Sequence, residues 1–381
     1  MFPRRRFVSL GENDNLRLLI ITFDPPENIG GVEGRVRGYV QELTKEGHFV
    51  EIEALAPGYE FARESFNGAA LHKSPSRISA LPQAFRYTER IMMDDSIDSV
   101  FLLSGGITLL GNLLLLYCRL TGRRSAILFY GKDVLQARRS LLGRSLALTS
   151  QILANRVAAN SLYTASLLHK FVSGKVDILP PSIDSSRTQD TAPTPSRESA
   201  GKILFVGRLV RRKGVDDLIQ AFRILLPDYP NARLEIVGDG PERPRLVDLV
   251  TRLDLADHVT FYGSLRGDAL YERYRECDFV AMPSRTMKDD VEGFGTVFLE
   301  AGLMGRPSVG TYSGGIPEAV TDKITGLLVK EGDVNELALA LRTLLSDEDL
   351  RARLGANARA RVLRDFTWEV TALRLEGILQ E

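Results

Sequence analysis

Residues 292–301 read Glu-Gly-Phe-Gly-Thr-Val-Phe-Leu-Glu-Ala, two glycines and two carboxylates where a loop runs into an apolar, helix-compatible segment. Gly293 and Gly295, on either side of Phe294, let the main chain approach a ligand with no Cβ in the way. The N–H groups of Phe294, Gly295 and Thr296 then stand at a helix N-terminus, where an anion is favoured. Glu292 precedes that point, and Glu300 lies about two turns beyond it. Carboxylates accept from paired hydroxyls while amides take an anion. The stretch therefore suits a ligand with two polyol ends joined by a pyrophosphate, the shape of a nucleoside-diphosphate sugar. The plainer alternative is a loop-to-helix junction with two solvated glutamates. A hydrolytic carboxylate pair is disfavoured: were the whole span helical, the two carboxylates would stand ~12 Å apart, against ~5–9.5 Å for such pairs.

A second constellation lies upstream. Arg208 and Lys213 flank the exit loop of an apolar run at 202–206, with Arg211 and Arg212 between them. At the carboxyl edge of a parallel sheet, a guanidinium grips phosphate oxygens in pairs and an ammonium adds a point charge. The alternative there is a solvated basic loop. Gly30 and Gly31 follow the first apolar run, at 16–22, at the edge where doubly wound sheets bind ligands; a simple turn is the other reading.

These residues need a scaffold, and the chain supplies a repeating one. The run at 16–22, a helix over about 32–45 and a strand over 49–55 form a strand–loop–helix–strand unit. Further strands are expected at 99–103, 125–130 and 156–159, with a helix around 81–93 and an apolar helix over 146–153. Residues 56–80 carry no clear pattern. Residues 185–200, rich in Ser, Thr, Pro and charge, read as a linker. After it a second series begins, with strands at 202–206, 233–237, 259–262, 278–282, 307–310 and 326–329 alternating with helices, the first of them over 214–226. Asp347-Glu348-Asp349 reads as the start of a helix capped by Ser346. Two successive series imply an α/β protein of two doubly wound domains facing each other. The expected division is a domain over 1–184, the linker, and a domain over 201–366.

Bulk properties agree with two globular domains. The chain has 381 residues, 44% of them hydrophobic and 26% charged. Its formal net charge of zero gives no support to nucleic-acid binding. Residues 1–184 hold 22 basic and 18 acidic side chains, a small excess. Cys118 and Cys277, the only cysteines, are far apart in apolar surroundings and read as buried thiols in a reducing compartment. No signal-peptide core follows the basic start, and the longest apolar run, at 109–117, is broken and too short to span a bilayer. A cytoplasmic protein is expected.

The motifs Val206-Gly207-Arg208-Leu209, Lys213-Gly214-Val215, Gly238-Asp239-Gly240-Pro241, Pro283-Ser284, Glu292 to Glu300 and Gly314-Gly315-Ile316-Pro317-Glu318 occur together and in this order. In that combination the chain resembles the retaining, GT-B-fold glycosyltransferases of family 4. The likeness is strong over 201–366 and looser over the first half. It implies a fold of two Rossmann-like domains, the first completed by a final helix over about 367–381, with the crossing at Phe366-Thr367-Trp368. It implies that Arg208 and Lys213 neutralise the donor diphosphate and that Glu292 bonds the transferred sugar. Gly293, Phe294, Gly295 and Thr296 would hold the sugar–phosphate portion, and Glu300 the ribose. Leu265 would meet the base through its backbone, and Gly30 and Gly31 would approach the phosphate from the first domain. The chain departs from the usual pattern in having Tyr130-Gly131 where His-Gly is common and Ser182 where glycine is common.

The activity implied is transfer of a hexose from a UDP- or GDP-sugar to a glycan, lipid-linked or small-molecule acceptor, in polysaccharide or glycoconjugate synthesis. The expected course retains configuration, with the leaving phosphate taking the acceptor proton, no protein base, no cofactor and no metal. A sugar-nucleotide epimerase of the same fold and a non-catalytic sugar-binding subunit are the alternatives. On the acceptor side stand Tyr130, Arg138 and Arg139. Arg123, Arg124, Arg138, Arg139 and Arg144, with apolar neighbours, are candidates for contact with an anionic lipid or the inner membrane face, or else form a solvated face.

Overall fold

In a computed structural model of the chain, the structure describes residues 15–24, 31–56, 59–76, 81–94, 96–103, 107–169, 174–188 and 201–380. Gly30, most of the expected linker and residue 381 lie outside them.

The first sheet contains β1 (Arg17–Thr22), β2 (Phe49–Ala56), β3 (Ala62–Phe66), β4 (Ala69–Pro75), β5 (Ser99–Leu102), β6 (Arg124–Phe129), β7 (Arg156–Ala159) and β8 (Asp177–Ile178). Its spatial order is β3-β4-β2-β1-β5-β6-β7-β8, and every pair is parallel except β3 with β4. The order reverses at β1, the switch point of a doubly wound sheet, where the loop leaving β1 faces the ligand edge. Around the sheet run α1 (Gly31–Lys45), α2 (Leu81–Asp94), α3 (Leu109–Thr121), α4 (Gly131–Ala137), α5 (Leu141–Leu153) and α6 (Leu162–Leu168).

Strand periodicity sorts the core into two layers. Leu18 and Ile20 face one way, with Val36, Tyr39 and Val40 of α1. Leu19 and Ile21 face the other way, with Ile91 of α2, Leu114 of α3 and Val134 of α4. Burial on both faces is why β1 reads as a continuous apolar run.

The second sheet, β11-β10-β9-β12-β13-β14, is wholly parallel. Its strands are β9 (Lys202–Val206), β10 (Arg233–Val237), β11 (Val259–Gly263), β12 (Phe279–Ala281), β13 (Ser308–Thr311) and β14 (Gly326–Val329). Its helices are α7 (Val215–Leu225), α8 (Arg243–Arg252), α9 (Gly267–Glu276), α10 (Thr296–Leu303), α11 (Ile316–Ala319), α12 (Val334–Ser346) and α13 (Glu348–Asp365). The last helix, α14 (Trp368–Gln380), returns to the first sheet, where Ala372, Leu375 and Leu379 join the core beneath α1. The Trp368 ring lies so close to Gly38 that any Cβ there would overlap it. Ile183 N–H donates to the Phe366 carbonyl, and Ser182 Oγ meets Thr371 Oγ1, so the crossing is tied on both sides.

Several local expectations change. Residues 56–80, without a clear pattern, contain the β3–β4 hairpin; β3 reads ARESF with its middle residues exposed, so no apolar alternation marks it. The helix expected over 146–153 begins at Leu141, where Ser140 Oγ accepts from Gly143 N–H. The cap expected at Ser346 is Asp347 instead, whose carboxylate accepts from Leu350 N–H, while Ser346 closes α12. Residues 185–188, within the expected linker, form one 3₁₀ turn.

Candidate active site

Between the carboxyl edges of the two sheets lies a cleft of about 450 Å³. Asp24, Arg35, Tyr130, Asp133 and Asn160 line it from the first half, and Arg212 with residues 290–296 from the second.

The floor of the cleft is built by loops that brace one another. After β9 the chain makes a 3₁₀ turn over Arg211–Lys213 and leaves it through Gly214 at φ +65°. A Cβ on Gly214 would overlap the Pro283 carbonyl, and Arg285 N–H donates to the Arg212 carbonyl at 2.7 Å. The basic turn is thereby fixed against the loop leaving β12. That loop runs through Asp290 and Glu292 to Gly295, which precedes α10 at φ +92°. Gly314 and Gly315 lie behind it, so close that a Cβ on either would overlap the carbonyls of Glu292 or Gly293. Gly315 N–H donates to the Glu292 carbonyl at 2.9 Å. The diglycine therefore supports the Glu292–Gly293 backbone from behind.

Side chains converge on this frame. Glu292 Oε2 accepts from Lys213 Nζ at 2.5 Å and from Arg212 Nη1 at 2.6 Å, and Arg212 Nε donates to Asp290 at 3.0 Å. Lys213 is 8% exposed and its Nζ also meets the Met282 sulfur. Burial pulls the Glu292 carboxyl up, but Lys213 and then Arg212 outweigh it and hold the group below the usual carboxylate range. Burial also pulls the Lys213 ammonium below an ordinary lysine, against the opposing charge of Glu292. The amides of Phe294, Gly295 and Thr296 donate to no acceptor among the described residues. One wall thus carries two cations matched by the Glu292 and Asp290 carboxylates, with a set of open amides beside them.

The opposite wall carries charges of both signs, Asp24 and Asp133 with Arg35 and Lys132. The Asp133 carboxyl, in the first turn of α4, is pushed up to about 6 by burial and next by the Asp24 charge. Tyr130 lies under the Arg35 guanidinium, 5.2 Å from ring centroid to Cζ. Its hydroxyl is sealed from solvent without a partner in hydrogen-bonding geometry, and burial pushes it up to about 12. Tyr130 thus stays protonated near neutral pH.

The two halves touch around the cleft. Glu318 Oε2 and Oε1 accept from the N–H groups of Leu162 and Tyr163, at 2.6 and 3.0 Å, so a carboxylate of one half satisfies the first turn of α6 in the other. Val291 packs against Gly131, and Asn160 against Gly293.

The expected residues are not all brought together. Glu292, Gly293, Phe294, Gly295 and Thr296 meet in the cleft, with Lys213 buried behind them on Glu292. Arg208 is exposed on the exit loop of β9 and makes no side-chain hydrogen bond or ion pair with a described residue; the guanidinium beside Glu292 is that of Arg212. Glu300 lies one turn into α10, where the hydroxyl of buried Tyr274 donates to it at 2.5 Å. Since α10 starts only at Thr296, the fully helical spacing of Glu292 and Glu300 does not apply. Leu265 packs on the second core in the loop between β11 and α9. Gly31 opens α1, and Gly30 lies outside the described residues. Arg138 caps the end of α4. Arg139 turns away from the acceptor wall and pairs with Asp289 of the other half, Nε to Oδ1 at 2.7 Å. Arg212, Asp290, Asp24 and Asp133 were not singled out as site residues. The run Arg211-Arg212-Lys213 is the one sequence signal for the first of them.

Comparison with known proteins agrees with this two-domain fold. The family model described as "Glycosyl transferases group 1" matches residues 186–361. A GDP-mannose-dependent alpha-(1-6)-phosphatidylinositol monomannoside mannosyltransferase of Mycolicibacterium smegmatis is 31% identical, over 95% of this chain and 98% of its own. A protein of the same description from Mycobacterium tuberculosis is also 31% identical, over 96% and 98%. Among solved structures, sucrose-phosphate synthase from Thermosynechococcus elongatus superposes with a TM-score of 0.75 at 23% identity, covering 96% of this chain and 98% of that one. Anabaena HepE, solved with UDP and glucose, superposes with a TM-score of 0.75 at 21% identity, covering 96% and 99%. At these identities the two structures speak for the two-domain fold alone.

Proposed function

The chain belongs to the group 1 glycosyltransferases, enzymes that use nucleotide sugars on a GT-B fold, and from that premise we propose that it moves a mannosyl group from GDP-mannose to a lipid-linked hydroxyl acceptor of the phosphatidylinositol mannoside kind. Support for donor and acceptor comes from the relatives that align over nearly their whole length, which are GDP-mannose-dependent phosphatidylinositol monomannoside mannosyltransferases. The observation that carries the site assignment is the meeting of Lys213, Arg212 and Glu292 at the open amides before α10.

In this proposal the diphosphate lies against Lys213, Arg212 and the amides of Gly293 to Thr296, and Glu292 bonds hydroxyls of the transferred sugar. Arg208, exposed at the same strand edge, closes on the diphosphate from solvent. Glu300 takes the ribose, with its second partner Tyr274 fixing its rotamer, and the backbone near Leu265 meets the base. The bond from the sugar's anomeric carbon to the phosphate oxygen breaks. The acceptor oxygen bonds to the same face of that carbon, and its proton passes to the departing phosphate, so configuration is retained as in family 4. Two fixed cations neutralise the leaving group, so the step needs no divalent ion. Asp133 faces the acceptor hydroxyl from the first half, and the Tyr130 ring lines the wall beside it.

The test is nucleoside diphosphate release from a panel of GDP- and UDP-sugars, with and without phosphatidylinositol monomannoside, and with and without EDTA. Rapid release with GDP-mannose and acceptor, unaffected by EDTA, is expected. Acceptor-independent conversion of the donor would identify an epimerase instead, and release with no donor would sink the proposal.

A further inference from the structure

The start of α6 is completed from across the cleft. Within its own half, Ser161 Oγ accepts from Thr164 N–H at 3.0 Å. The two amides before Thr164, of Leu162 and Tyr163, donate at 2.6 and 3.0 Å to the two oxygens of Glu318, in α11 of the other half. A carboxylate is favoured at the start of a helix, and here each oxygen takes one donor that the helix itself leaves unmatched.

Both ends of this contact lead to the cleft. Asn160, immediately before the capping serine, lines the cleft. Its Oδ1 accepts from Thr164 Oγ1 at 2.7 Å, which ties it to α6, and its Nδ2 stands 2.9 Å from where a Gly293 Cβ would be. On the other side, α11 directly follows Gly314 and Gly315, which back the Glu292–Gly293 main chain. Arg361 of α13 holds the end of α11 by donating to the carbonyls of Glu318 and Ala319. One short segment therefore backs the donor loop and reaches the wall that faces it.

Arg139 with Asp289 also joins the halves, but those side chains are 53% and 41% exposed, and an exposed pair of this kind contributes little. Glu318 is half-buried and its partners are main-chain donors. They belong to a helix whose Ala165, Leu167 and Leu168 lie in the core of the first half. A shift of α6 relative to Glu318 is thus a shift of the whole half.

We propose that Glu318 is a positioning residue for the transfer reaction. Its carboxylate, clamped on α6, holds the halves in the closed arrangement in which Asn160 meets Gly293 and the acceptor wall faces the bound donor. Glu318 does not itself line the cleft. The inference rests on the cleft being the transfer site and adds what keeps it closed.

Glu318→Ala should lower kcat about 100-fold in GDP release from GDP-mannose with phosphatidylinositol monomannoside, since misplacement by about 1 Å suffices for such a loss. GDP affinity in calorimetry should stay as in wild type, because the groups assigned to the diphosphate all lie in the second half. Amide exchange, read residue by residue by NMR, should become fast at Leu162 and Tyr163. It should stay slow at Thr164, whose acceptor is in its own half. Leu162→Pro breaks the same contact from the other side. Proline suits the first position of a helix, and Ser161 before it is already extended, at φ −164° and ψ 159°. That variant should lower kcat by a smaller factor, and the two changes together should lower it no further than Glu318→Ala alone. Wild-type kcat in Glu318→Ala would overturn the proposal. So would losses that multiply in the double variant, or equal exchange at Leu162 and Tyr163 with and without the carboxylate. Failure of wild type to bind GDP would sink the transfer reading separately, and exchange in the free chain would still decide the clamp.

Discussion

Glu292 holds two cations in a nearly dry place, and that makes its removal informative. In Glu292→Gln, Lys213 and Arg212 face each other without the shared carboxylate, which costs on the order of 3 kcal/mol for a buried network. The variant should melt several degrees lower, with turnover down at least ~100-fold. A bound nucleoside diphosphate brings anionic charge back, so GDP should raise the melting temperature of the variant by more than it raises that of wild type. An equal rise in both, read by calorimetry, would remove the phosphate from these cations. Lys213, Glu292 and the glycine loop were legible in the sequence because each lies in a short motif with its own chemistry. The role of Arg212 was not: its partner Glu292 lies 80 residues away, and among three adjacent basic residues only the turn decides which one faces inward. Tyr130 was legible as a departure, but its cover by Arg35 rests on a contact between distant segments.

At the scale of elements, the cleft depends on loops held in place by glycines. A methyl group on Gly315 would push into the Gly293 carbonyl, shifting the amides before α10. Gly315→Ala should therefore abolish GDP binding in titration calorimetry while the far-UV spectrum stays that of a folded α/β protein; tight binding by the variant would refute this support. Elsewhere, β2 and β4 bury a polar pair that a sequence pattern could not place. Glu53 is fully buried, Ser74 Oγ donates to it at 2.8 Å, and its other oxygen has no partner. Burial pushes its carboxyl up to about 7, against an opposing pull from Thr88, Ser74 and His72. Between an unfolded value near ~4.3 and the folded value, the native chain binds the extra proton. Its stability contribution is thus present at low pH and lost as pH rises through 7. Glu53→Gln should melt a few degrees above wild type at pH 8 and no higher at pH 4; the reverse order would show that the carboxylate is paired. The hairpin carrying β3 escaped the sequence because an exposed edge strand needs no apolar alternation, whereas β1 and β9, buried on both faces, were plain.

Across the whole molecule, the two doubly wound halves were readable from the repeated strand–helix alternation, and the family from motifs spread through the second half. What joins the halves was not readable. Glu318 on the α6 amides, Arg139 on Asp289 and Asn160 against Gly293 each link residues more than 130 positions apart. The arginine cluster at 123–144 was legible in the sequence, whereas the exposed leucine rows of α3 and α5 beside it appear only when burial is known. The account rests on the cleft wall formed by Lys213, Arg212 and the amides before α10 being a diphosphate site. A crystal structure of the chain with GDP tests this most directly. The account predicts phosphate oxygens within ~3 Å of Lys213 Nζ and of the amides at Gly295 and Thr296. A diphosphate bound outside the cleft, or one turned toward Asp24 and Asp133, would contradict it.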